Sequence, residues 1–140
     1  ALETLEKGAK NGFFLMIESA IIDGYGHNND SEGMKLEMYD FNNTLMLLID
    51  YVHNHPNTLL VVTADHETGG TGIAYKHHEV GKKEKVSLNF STKGHTGTVV
   101  PVFAYGPGAE CFAGIMKNTD IPKKLESLMK NDFKTQRSKL

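Results

Sequence analysis

The stretch IESAIIDGYGHNND, residues 17–30, ends an apolar run in three side chains able to bind a cation: Glu18, Asp23 and His27. A buried strand ordinarily gives way to Gly, Asn or Ser. Two carboxylates and an imidazole at intervals of five and four residues therefore ask for a chemical role. Two later stretches carry the same residue types: TADHETGG contains Asp65 and His66, and STKGHTG sets His95 close to Gly94 and Gly97, where backbone can pass near a bound group. Neutral imidazole nitrogen with carboxylate oxygen is a normal zinc donor set, and three protein ligands with one open position mark a catalytic rather than a structural zinc. Asp23, His27 and His95 would make one such site. The single cysteine, Cys111, excludes a multi-cysteine zinc site and an internal disulfide framework.

Each pair has a plain alternative. Asp and His at strand ends are often turn formers or caps, and DH or GHT alone has little specificity. Convergence favours the metal, because five ligand-type residues fall on one edge of the expected fold. Met34 and Met38 lie on the expected core face of a helix, where packing explains them. His53 and His55 straddle a helix end, where the dipole explains them. His77 and His78 lie in a charged stretch and read as solvated.

The elements that must position these residues follow from periodicity. Phe13–Glu18 is a short apolar run bounded by glycine, which suits a strand buried on both faces. From Ser31 to His53, the residues Met34, Met38, Phe41, Leu45, Leu48 and Val52 recur every three or four positions, one helical face, with Ser31 as N-cap and Pro56 beyond the end. Thr58–Ala64, TLLVVTA, follows as a β-branched strand. Strand, helix, strand is the crossover unit of a parallel sheet, and it would bring Glu18 and Asp65 to the same carboxyl edge, where open α/β sheets bind ligands. Asp23 and His27, four apart, face one way if their segment makes a helical turn, although Gly24 and Gly26 argue against a long helix.

Thr98–Tyr105 is a third strand, with Pro101 at an edge or bulge. Residues 75–90 read as an exposed excursion, a helix runs from about Ile121 to Asn131, and 132–140 form a frayed tail. The opening ALETLEKGAKNGFF reads as the end of a helix broken at Gly8, running into a strand. It has no pattern of a signal peptide and looks like the middle of a protein.

At 140 residues with 39% hydrophobic content, the chain suits a single α/β domain with a core. The 15 basic and 17 acidic residues are not clustered into a basic, aromatic-studded face, which argues against nucleic acid as a partner. The longest apolar runs, FFLMI and TLLVVTA, fall far short of the roughly 20 residues that span a bilayer.

Taken together and in order, GFFLMIESAIIDGYGHNND, TLLVVTADHETGG and GHTGTVVPVFAYGPGAECFAGIMKNTDI resemble the C-terminal portion of an alkaline phosphatase. The resemblance runs from about Gly12 to Leu125 and weakens through residues 75–90. It implies an alkaline-phosphatase-like sandwich with a mostly parallel sheet, and hydrolysis of phosphate monoesters through a phosphoserine, with two zinc ions and one magnesium. Matched motif by motif, Asp23, His27 and His95 resemble the ligands of the first zinc. Asp65 and His66 resemble part of the second zinc site, and Glu18 resembles a carboxylate of the magnesium site. Two metals about 4 Å apart stabilise the attacking and leaving oxygens of an in-line displacement.

The resemblance also implies a nucleophilic serine in Asp-Ser-Ala or Asp-Ser-Gly, far upstream of these motifs. Neither tripeptide occurs here, and Asp30-Ser31-Glu32 reads as a turn and cap. The family's phosphate-clamping arginine has no counterpart either: the sole Arg is Arg137, in the tail. The expectation is a phosphatase of which this chain supplies metal ligands, inactive by itself. A related metallohydrolase or mutase of the same superfamily, and a non-catalytic zinc-binding module, are the alternatives. By the same resemblance the protein works in the periplasm or outside the cell, and a homodimer is the family habit.

Overall fold

The computed structural model describes residues 1–74 and 87–137, with 131–137 as helix backbone. The expected excursion lies mostly outside the described residues, including His77 and His78. The chain divides into two compact units, Ala1–Glu18 with Gly114–Leu140, and Ser19–Ala113.

In the first unit, helix α1 (Leu2–Gly8) closes with the Ala9 amide donating to the Leu5 carbonyl at 2.8 Å. Phe13–Glu18 then runs without a ladder partner among the described residues, and Phe14, Met16 and Ile17 are exposed. The strand expected there is therefore not formed. An apolar run reports a preference for burial, whereas strand identity requires a partner for its N–H and C=O groups.

The second unit carries the ligand-type residues other than Glu18. The IIDGYGHN sequence forms a two-turn helix, α2 (Ile21–Asn28), followed by Asn29 in the left-handed region at φ 56°. Helix α3 (Ser31–Asn54) begins at once. Its N-cap is Asp30 rather than Ser31: Asp30 is extended, and its Oδ1 accepts the amides of Glu32 at 3.1 Å and Gly33 at 3.0 Å. A carboxylate at the N-terminus satisfies two orphan donors and complements the helix dipole, which leaves Ser31 as the first helical residue. Gly33 lets α2 and α3 meet. The Tyr25 ring lies where a Cβ would stand, 2.2 Å from its Cε1.

Of the α3 residues expected to face the core, Met34 and Val52 are buried, and Phe41, Leu45 and Leu48 are half-buried. Met38 is 49% exposed, so the packing role expected of it is not met. At the C-terminus, the ring of His55 stacks on Tyr51 with centroids 3.9 Å apart, and its Nδ1 lies 2.7 Å from the Tyr51 carbonyl. Local contacts account for this histidine.

After α3 come β1 (Leu60–Thr63), β2 (Glu67–Thr68), β3 (Gly72–Ala74), β4 (Ser87–Asn89), β5 (His95–Thr96) and β6 (Val102–Tyr105). They pair as β1 with β6, β2 with β5 and β3 with β4, all antiparallel. The parallel crossover expected between Phe13–Glu18 and Thr58–Ala64 is not among these ladders, because the first of its strands is unpaired. Pro101 immediately precedes β6, so its missing N–H costs the ladder nothing.

The four-residue 3₁₀ turn Ala109–Phe112 follows and buries Phe112. In the first unit, α4 (Asp120–Arg137) starts with Pro122 in its first turn and continues past the end expected for it, through residues assigned to the tail.

Candidate metal centre

Three short segments of the second unit converge. α2 presents Asp23 and His27, the turn between β1 and β2 presents Asp65 and His66, and β5 presents His95. The helical turn settles the first pair: Asp23 and His27 share a face, with His27 Nε2 3.3 Å from Asp23 Oδ2. The β2–β5 ladder, Glu67 opposite Thr96 and Thr68 opposite His95, carries His66 and His95 to the same place. Their rings stack with centroids 3.5 Å apart. His95 Nε2 lies 3.2 Å from His27 Nε2 and 3.7 Å from Asp23 Oδ1. Asp23, His66 and His95 each offer a ligand atom, and these atoms lie within 4.8 Å of one another.

The sequence pairs His66 with Asp65 and groups Asp23 with His27 and His95. The geometry joins the two sets, since His66 stands with Asp23 and His95 while His27 touches the same two residues. Asp65 is strongly exposed; its Oδ2 lies 3.2 Å from His66 Nε2, and its Oδ1 accepts the His66 amide at 3.1 Å. Glu18 is an exposed residue at the end of the first unit's opening segment.

The hydrogen-bond partners of the His27 and His66 rings fix where their hydrogens lie. His27 Nδ1 lies 2.5 Å from the Lys93 carbonyl, which only accepts, so Nδ1 carries the hydrogen and a neutral His27 presents a lone pair at Nε2. That lone pair faces the Asp23 carboxylate. The Thr68 hydroxyl has one hydrogen and donates it to Asp23 Oδ1 at 2.5 Å, so its lone pairs face His66 Nδ1 at 3.2 Å. His66 then carries its hydrogen on Nδ1, and its Nε2 lone pair faces Asp65 Oδ2. With His27 and His66 neutral, an imidazole lone pair faces a carboxylate at both places; a proton or a metal ion held between them relieves this, and at His27 an Nε2–H of His95, 3.2 Å away, is the other available donor. Carboxylate oxygen and imidazole nitrogen, partly exposed to solvent, are the donor set of zinc with room for a further ligand. The residues fit the metal.

The Thr68 hydroxyl holds the Asp23 carboxyl below the usual range, and the nearby His27, His95 and His66 act in the same direction. Glu67, beside His66, is likewise lowered, first by the Thr96 hydroxyl and then by the Thr71 and Gly70 amides. Sequence reasoning passed over both Thr68 and Glu67. The available signal was period two: in a strand after His66, Thr68 returns to the ligand side and Glu67 points away from it. The Lys93 carbonyl, being backbone, left no sequence signal.

The alkaline phosphatase family model matches residues 1–83 and 73–131. Alkaline phosphatase 3 of Bacillus subtilis is 30% identical over an alignment that takes in 96% of this chain and 43% of that protein. Streptomycin-6-phosphate phosphatase of Streptomyces griseus is 32% identical, over 79% of this chain and 28% of its own. Among solved structures, the alkaline phosphatase of the Antarctic bacterium TAB5 superposes with a TM-score of 0.80 at 37% identity, covering 92% of this chain and 39% of that one. A magnesium-bound variant of the TAB5 enzyme gives the same TM-score. The chain thus spans about two-fifths of the length of relatives such as the Bacillus and TAB5 enzymes. With an alkaline-phosphatase-like fold and a family model matching it almost end to end, this chain belongs to the alkaline phosphatase family.

Proposed function

We propose that this chain supplies the C-terminal share of the metal centre of a phosphate-monoester hydrolase. Asp23, His27 and His95 hold one zinc, Asp65 and His66 hold part of a second, and Glu18 provides part of a magnesium site. The observation that carries this proposal is the convergence of Asp23, His66 and His95, whose ligand atoms lie within 4.8 Å of one another, with His27 against the same Asp23 and His95. Bound zinc supplies Lewis-acid charge for the oxygens of a phosphoryl group in displacement.

The chain's own residues prepare that chemistry. The Lys93 carbonyl fixes the His27 tautomer so that Nε2 faces inward. Thr68 turns the Asp23 carboxylate and the His66 ring toward each other. Partial exposure of Asp23, His27 and His95 leaves an approach for a phosphate ester. That the relatives include a streptomycin-6-phosphate phosphatase supports the monoester as substrate class.

The nucleophilic serine and the phosphate-clamping arginine belong, on this proposal, to sequence outside the chain, as do strands completing a mostly parallel sheet. The complete enzyme works as a homodimer in the periplasm or outside the cell. The experiment is an assay of p-nitrophenyl phosphate hydrolysis with added zinc and magnesium, alongside metal analysis of the purified 140-residue chain. Bound zinc that is lost in His95→Ala, without turnover, is the expected result. Turnover that follows the chain through purification and disappears in His95→Ala would show that it holds its own nucleophile; absence of zinc from the full-length protein as well would remove the metal assignment.

A further inference from the structure

Glu67 sits between the two residues that define the site's floor, His66 and Thr68, yet its carboxylate faces elsewhere. Oε1 accepts the Thr71 amide at 2.6 Å. Oε2 accepts the Gly70 amide at 3.1 Å and the hydroxyl of Thr96, the residue after His95. Both oxygens are thus occupied by three donors drawn from two segments: the turn that follows His66 and the strand that carries His95. The same turn is bound again from below, where the Gly69 amide donates to the Gly94 carbonyl at 2.9 Å and the Ser91 amide donates to the Gly69 carbonyl at 2.9 Å. Only two residue pairs form the β2–β5 ladder, Glu67 with Thr96 and Thr68 with His95. So short a ladder does not hold register by itself.

We infer that Glu67 is a positioning residue: its carboxylate clamps the 67–71 turn to Thr96 and thereby sets the separation of His66 and His95. This rests on the metal-site proposal above. A carboxylate suits the task because it accepts at both oxygens and binds donors more strongly than a neutral group does. Glutamine of the same length cannot replace it. One end of the amide is an NH₂ group, which would face the Thr71 amide or the Gly70 amide, donor against donor, while the Thr96 hydroxyl, able to accept, would have to turn its hydrogen away. Alanine would leave all three donors without this partner. Glu67 is not in the ligand cluster, so its loss acts through the placement of the two histidines.

The test uses the full-length protein, with zinc affinity from chelator competition and the visible absorption spectrum of the cobalt(II)-substituted protein as a report of ligand geometry. Amide exchange at Gly70 and Thr71 reads the clamp directly. In Glu67→Gln, zinc affinity should fall by about 10–100-fold, the size typical for loss of a group that orients a ligand. Its cobalt spectrum should change and the two amides should exchange faster. Thr96→Val, which removes one donor and keeps the shape, should move the same readouts in the same direction, and Thr96→Ser should restore them. This pair serves if Glu67→Gln does not fold. Wild-type affinity, spectrum and exchange in both Glu67→Gln and Thr96→Val would overturn the clamp while leaving the metal site standing. Failure of the wild-type protein to bind zinc or cobalt would overturn both.

Discussion

The Thr68 hydroxyl lies 2.5 Å from Asp23 Oδ1, across 45 residues of sequence, and 3.2 Å from His66 Nδ1. One small side chain thus orients a carboxylate on a helix and an imidazole on a turn. Replacing Thr68 with Val keeps the shape and removes the bridge. Zinc affinity of the full-length protein should fall by about 10–100-fold, whereas Thr68→Ser should stay near wild type. Chelator competition measures both, and equal affinity in Val and Ser variants would show the hydroxyl to be idle.

The contact of Tyr25 with Gly33 makes a steric prediction. A Cβ at Gly33 would stand 2.2 Å from Tyr25 Cε1 and 2.3 Å from Cδ1, far inside contact distance. Overpacking of this kind costs about 1–3 kcal/mol. Gly33→Ala should destabilise the full-length protein to urea by that amount, and the added presence of Tyr25→Ala should make the combined loss less than the sum of the two. Strict additivity would place the strain elsewhere.

Among the described residues the buried hydrophobic core consists of Met34, Val52 and Phe112. Meanwhile Leu45, Ile49, Leu60, Val62, Phe103 and Tyr105 line an apolar groove between α3 and the β1–β6 pair, with Phe103 64% exposed. So small a core with open strand edges favours association. The 140-residue chain alone should elute as oligomers, bind a hydrophobic dye and unfold without a sharp transition. Phe103→Lys should raise the monomer fraction in light scattering. A monomer with a cooperative unfolding transition would contradict this.

The start of α4 carries a pH dependence. Asp120 is lowered below its ordinary value, first by its hydrogen bond with Lys123 and then by the Lys117 amide, which its Oδ2 accepts at 3.3 Å. A carboxyl depressed in the folded state adds stability above its unfolded pKa, near 3.9, and loses it as pH falls through the lower folded value. Helical order at residues 120–123 should decline with acid across that window, and Asp120→Asn should flatten the profile. NMR shifts of these amides give the measurement; an identical profile in Asp120→Asn would assign the effect to another group.

Much of this was legible in the sequence. Residue chemistry marked Asp23, His27, Asp65, His66 and His95 as candidate cation ligands, and the structure brings Asp23, His27, His66 and His95 together with Asp65 beside His66. The three-to-four spacing from Met34 to Val52 fixed α3, since helical periodicity is a local property. Family membership was carried by the order of three motifs, and the family model and the solved relatives bear it out.

Tertiary structure decided the rest, because it depends on which distant segments meet. Whether Phe13–Glu18 is a strand depends on a partner for its backbone, and among the described residues it has none. The side of α3 on which Met38 falls depends on where its neighbours stop, and it is left in solvent. Thr68 and Glu67 owe their roles to Asp23 and Thr96, which lie 45 and 29 residues away. No local pattern encodes such pairings, so candidate ligands could be named from the sequence, whereas the contacts of Thr68 and Glu67 with them and around them emerged only when the chain was folded.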